Sequence, residues 1–133
     1  MKLNEENRNV IVNHRLQKAK DTWVEAKDMI VLSHWHGAAN RLYYACYYAV
    51  TALLLKNGYS AHTHNGVFAL LGKHFVVEGM VSIEQNRLYG TLLGLRQKGD
   101  YDDWIVIKEQ DVKPLLEPAE KFIVEIEHLI HNS

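Results

Sequence analysis

The densest run of chemically capable side chains in this sequence is Arg96-Gln97-Lys98-Gly99-Asp100-Tyr101-Asp102-Asp103. On a continuous helix Arg96 and Asp100 would face each other one turn apart, because residues four apart are surface neighbours. A guanidinium is planar, permanently charged and carries five donors, so it can grip a phosphate through two parallel hydrogen bonds. Asp100 would orient it and the Tyr101 hydroxyl would flank it. The plainer alternative is a surface ion pair worth about 0.3–0.5 kcal/mol that finishes the helix. On the residues alone, both readings stay open.

Arg41 is the second cation of interest. It lies in a stretch that is otherwise apolar, so its charge must reach water or a carboxylate, and Asp100 is a candidate partner. It shares a helical side with Tyr44 and Tyr48, which makes stacking of the guanidinium on a ring the other option. A buried ion pair that only fixes packing explains Arg41 equally well. His64 stands near the start of a predicted helix, where a neutral imidazole could shuttle a proton or simply cap the turn.

Eight histidines occur, among them His34-Trp35-His36 and His62-Thr63-His64. Neither pair has a cysteine or carboxylate at a recognised ligand spacing, so the sequence predicts no metal site and no cofactor. His128 and His131 are expected to face solvent. There is no Gly-x-Ser-x-Gly elbow, P-loop or dinucleotide fingerprint. Cys46 sits among apolar neighbours, where burial would raise the thiol pKa and make it a poor nucleophile.

The elements that position these residues follow from periodicity. Val12, Leu16, Ala19, Trp23, Ala26 and Ile30 alternate at steps of four and three, the stripe of a long amphipathic helix. After the break at 33–37 a second helix is predicted from about Ala38 to Lys56, apolar on nearly every side and therefore central. Ala38, Ala45, Ala49 and Ala52 allow a close neighbour, and Tyr43, Tyr44, Tyr47 and Tyr48 form two pairs at i, i+4. Asn57-Gly58 ends it.

A third helix is predicted over about 65–76, stopping near Gly79. Ser82 and Gln85 form a capping box for the next, whose stripe is Leu88, Leu92 and Leu95 and whose end is suggested by Gly99. Trp104-Ile105-Val106-Ile107 reads as an extended apolar run across the bundle. The last helix carries Leu115, Ala119, Phe122, Ile126 and Leu129, with Asp111 as a cap, Pro114 near its start and Pro118 as an expected kink. The expectation is an all-α, up-and-down antiparallel bundle of about five helices in a single domain, residues 1–133.

Composition narrows the function. The chain has 133 residues, 15 basic and 16 acidic, so no broad basic field draws in nucleic acid and any RNA contact must be local. One cysteine excludes a disulfide framework. The polar first ten residues lack a signal-peptide core, and the uncharged apolar run 42–55 is too short to span a bilayer, so a cytoplasmic protein without membrane contact is expected.

Asn40-Arg41-Leu42-Tyr43-Tyr44-Ala45, then residues 60–67, Phe75-Val76-Val77-Glu78-Gly79, and Arg96-Gln97-Lys98-Gly99-Asp100-Tyr101 resemble, in order, the HEPN domain family, in particular its small stand-alone prokaryotic branch. The resemblance spans about 38–130. It implies a helical bundle that is commonly a homodimer and is often encoded beside a minimal nucleotidyltransferase as a toxin–antitoxin pair. In active HEPN ribonucleases an arginine followed after four to six residues by histidine cleaves RNA without metal across a dimer cleft. Arg96 matches that arginine. The positions where the histidine would fall, 101–103, hold Tyr, Asp and Asp.

Two functions follow from the resemblance. In one, the chain is a toxin-like ribonuclease with Arg96, Asp100 and Tyr101 in the site and His64 entering from another helix, while Arg41, Arg96 and Tyr44 hold RNA or nucleotide phosphate. In the other, it is a non-catalytic dimeric interaction or nucleotide-binding module.

Overall fold

The computed structural model describes residues 4–101 and 103–132, and for Tyr101 the backbone alone. Helix α1 spans Glu5–Val31 and starts where the Asn4 side chain accepts the Asn7 N–H at 2.7 Å, with Glu5 and Glu6 at the positive end of the helix dipole. A tight turn with Ser33 at φ 59° leads into α2, Trp35–Lys56. Helix α3, His64–Leu71, is capped by Thr63, whose hydroxyl accepts the Gly66 N–H at 2.9 Å, and it runs directly into a π-helical turn, Gly72–Val76.

Helix α4, Ile83–Tyr101, begins with the expected capping box: the Ser82 and Gln85 side chains each accept the other's backbone N–H at 3.0 Å. A single turn α5, Glu109–Val112, and a 3-10 turn, Lys113–Leu115, precede α6, Leu116–His131. Among the described residues there is no strand, and no helix is long and apolar enough to cross a membrane.

Cross-helix contacts give the topology. Asn9, Arg15 and Glu25 of α1 meet Lys56, Thr51 and Arg41 of α2, so the two run antiparallel. Lys20 and Trp23 reach Glu127 and Leu116, which sets α6 antiparallel to α1, and His36 and Tyr43 face Asp100 and Tyr89, which sets α4 antiparallel to α2. The result is the expected up-and-down bundle. Helix α2 packs against α1, α4 and α6, and its Ala38, Ala45, Ala49 and Ala52 are fully buried, confirming it as the central element.

Several expectations need correction. Helix α2 starts three residues earlier than expected, and α4 continues through Gly99. The buried residues of α4 are Tyr89, Leu92 and Leu93, with Leu88 and Leu95 flanking, because Tyr89 turns inward to stack between Tyr43 and Phe122 at 5.8 and 5.9 Å. Asp111 caps α5 by accepting the Lys108 N–H at 2.9 Å, and Pro114 lies in the 3-10 turn. Pro118 falls in the first turn of α6, where its missing N–H has no intrahelical acceptor to lose. Of the run 104–107 only Ile107 enters the core, and Trp104 is 94% exposed.

Leu53 of α2 is buried among these helices, so Leu53→Ala should lower unfolding free energy by about 2–5 kcal/mol, read from urea denaturation.

Candidate functional site

The site is built at the C-terminal end of α4. The helix persists past Asp100, so Arg96 and Asp100 share a face one turn apart, Nε to Oδ2 at 3.5 Å. The Arg96 side chain is only 11% exposed, against 30% for Asp100. Its guanidinium carbon lies 5.6 Å from the ring centres of both Tyr43 and Tyr44 on α2. A charge this enclosed is held by a carboxylate on one side and by the negative faces of two rings on the other. That is more than a helix-end ion pair in water would have.

His64 enters from the first residue of α3. Its Nδ1 lies 2.7 Å from the Tyr43 hydroxyl, and its ring packs 4.8 Å from Tyr47. Desolvation, then the nearby Arg96 charge, hold the imidazole pKa below its ordinary value. Burial raises the Tyr43 phenol to about 12, despite the opposing effects of Tyr89 and Arg96. Both groups are therefore neutral at pH 7. With the phenol donating to Nδ1, the imidazole carries its proton on Nε2, as a donor for an anion. The α3 start is tied to α4 by Gln97, whose amide donates to Asn65 at 3.4 Å.

Arg41 does not pair with Asp100. It reaches Glu25 of α1 at 3.9 Å and donates to the Asn40 side chain at 2.8 and 3.2 Å, because α1 flanks the first half of α2. Its guanidinium stands 5.4 Å from the Tyr44 ring, so Tyr44 contacts both Arg41 and Arg96. The expected stacking on Tyr44 is present. The Tyr101 side chain lies outside the described residues.

His36, considered in the sequence only as a metal ligand, is the residue that spacing along α4 could not find. Its Nε2 lies 4.0 Å from Asp100 Oδ1, and the side chain is 57% exposed. Gly99 makes this possible: a Cβ there would come within 3.0 Å of the imidazole and 3.1 Å of Ile107. Asp100 thus stands between a guanidinium and an imidazole from different helices. Among the described residues no three His, Cys, Asp or Glu side chains cluster as a metal site, and burial pushes the Cys46 thiol pKa up.

A buried arginine oriented by an acid one turn downstream, beside imidazoles brought from other helices, can bind a phosphate and offer proton transfer around it. The sequence profile of the HEPN domain matches residues 12–129. This chain belongs to the HEPN domain family.

Other comparisons agree with a small prokaryotic HEPN protein. A Thermotoga maritima protein named "UPF0332 protein" is 35% identical over 122 residues, 92% of each chain. A Methanocaldococcus jannaschii protein named "Putative toxin MJ0142" is 27% identical over 81% of this chain and 74% of its own length. The crystal structure of TT1696 from Thermus thermophilus superposes with a TM-score of 0.74 at 17% identity, covering 89% of this HEPN chain and 97% of that one, a likeness of fold.

The lowered His64 pKa has a definite sign. Stability contributed by the neutral ring is complete above pH 6.5 and declines as pH falls through the lower folded value. An NMR titration should place His64 below 6.5, and Arg96→Met should move it upward, though not fully, since desolvation remains.

Proposed function

We propose that this HEPN protein is a toxin-like, cytoplasmic RNA-binding component that acts as a homodimer beside a minimal nucleotidyltransferase and cleaves RNA without a metal. The observation that carries the reading is Arg96, enclosed against Tyr43 and Tyr44 and oriented by Asp100. Two imidazoles, His64 and His36, lie around it although none follows it in α4. Arg41 and Tyr44 extend the phosphate-binding surface.

In the reaction a ribose 2′-hydroxyl attacks the adjacent phosphorus and its proton passes to His36. Asp100 lies against that ring, Oδ1 to Nε2 at 4.0 Å. Arg96 and the His64 N–H donate to the non-bridging oxygens as charge develops. The bond to the 5′ oxygen breaks, that oxygen takes a proton from water, and the hydroxide left takes the proton back from His36, restoring the neutral imidazole. A 2′,3′-cyclic phosphate and a free 5′-hydroxyl result.

Purified wild-type protein, free of any partner, should cleave RNA in the presence of EDTA. Arg96→Ala should lose about 100-fold or more in rate while keeping its far-UV spectrum, the scale expected when an oxyanion donor is removed. Intact RNA with the wild-type dimer would overturn the ribonuclease reading. The lack of histidine at 101–103 favours a second reading, a binding module without turnover, which co-purification with an adjacent gene product together with intact RNA would support.

A further inference from the structure

Tyr47 has two faces at work. One packs on His64; the residue also lines a separate cavity of about 140 Å³ between α1, α2 and α3, together with Arg15, Thr51, Tyr59, Ser60 and Val67. The cavity is smaller than the roughly 300–1,000 Å³ of sites that take drug-sized ligands, so it admits a ring and not a whole nucleotide. Its walls are fixed in advance. Tyr59 is stacked from outside by His74, with centroids 3.9 Å apart and planes 10° from parallel, and Tyr47 is held by contacts with Tyr43, Tyr44, Tyr48 and His64.

Two aromatic walls and an aliphatic floor suit a flat heteroaromatic ring. The polar group that would orient it is Arg15. The guanidinium is half-buried, makes one long hydrogen bond of 3.4 Å to the Thr51 carbonyl, and has no ion pair among the described residues. No carboxylate lines the cavity. An arginine fork with no acidic partner matches a ring edge that presents two acceptors side by side. Among the purines, which have the larger face to lay against two aromatic walls, that edge belongs to guanine, through O6 and N7.

We infer that this cavity is a guanine-reading subsite for a single-stranded RNA whose phosphate lies at Arg96, a proposal that rests on the RNA-binding reading above. Tyr47 lines the cavity and packs on His64, whose ring lies near Arg96, so the bound base would be that of a nucleotide flanking the held phosphate. Unpaired bases splayed onto aromatic side chains and read on their edges are the usual route to sequence-specific RNA recognition.

The test is fluorescence anisotropy with 5′-labelled 2′-O-methyl RNA hexamers, which lack the attacking hydroxyl and so stay intact: hexa-adenylate, and the same hexamer with one guanine scanned through each position. Wild type should bind one guanine register about tenfold more tightly than hexa-adenylate, within the range of a bidentate base contact. Arg15→Gln should abolish the preference, lowering affinity for the guanine register about tenfold more than for hexa-adenylate. Ser60→Trp, an exposed position at the cavity, should do the same by filling it, and guards against a folding defect in the first variant.

Arg96→Ala should weaken all probes alike. Equal affinity for every hexamer in the wild type, or a guanine preference that survives both variants, overturns the subsite while leaving the Arg96 reading intact. Failure of the wild type to bind any hexamer overturns both. Sedimentation showing that Ser60→Trp splits a wild-type dimer would mark the cavity as a protein contact and also overturn the subsite.

Discussion

A guanidinium that is almost nine-tenths out of water needs compensation from every side, and the arrangement around Arg96 is organised to supply it. Asp100 provides countercharge from one turn below, which requires α4 to remain helical through Gly99. Tyr43 and Tyr44 provide ring faces from α2. Tyr43 is in turn fixed by the stack that continues through Tyr89 of α4 to Phe122 of α6, each step a near-parallel pair worth about 0.5–1.5 kcal/mol beyond simple burial. The placement of one surface-facing cation is thereby tied to three helices of the core.

The charge of the site is concentrated by its neighbours. His64 stays neutral because it is desolvated and lies near Arg96, and Tyr43 keeps its proton because it is buried. Neither group carries a charge of its own, and with the Tyr43 hydrogen given to His64 Nδ1, the His64 Nε2–H is the one left to meet an anion. Asp100 offsets part of the guanidinium charge and faces the more exposed His36 on its other side. An acid shared in this way aligns two bases of very different strength without a covalent link between their helices.

What the sequence made legible follows the range of the interaction. The Arg96–Asp100 pair, the Ser82–Gln85 cap and the central position of α2 are local or periodic, and each could be read from spacing. The proximity of His64 to the site was legible only through its position at a helix start. Contacts that depend on how helices cross were not legible. Glu25, and not Asp100, meets Arg41 because of the register of α1 on α2. His36 reaches Asp100 because Gly99 leaves room across the α2–α4 contact. Tyr89 joins the expected Leu92 in the core and leaves Leu88 at its margin, because the aromatic stack with Tyr43 and Phe122 turns that side of the helix inward. The run at 104–107 had the composition of a buried strand, yet no partner edge exists among the described residues to receive it.

Asn9 and Val12 of the first helix share a cleft with Ile130 and His131 of the last, beside Lys56 at the far end of α2. From Arg41 to Lys56 that helix rises about 22 Å, so the first and last helices meet here well away from the guanidinium. A short linker could join them and new ends be opened in the turn between Val77 and Ser82, giving a circular permutant that retains every helix–helix crossing described above. The same geometry lets a fused tag or reporter on either of these helices project away from the Arg96 side.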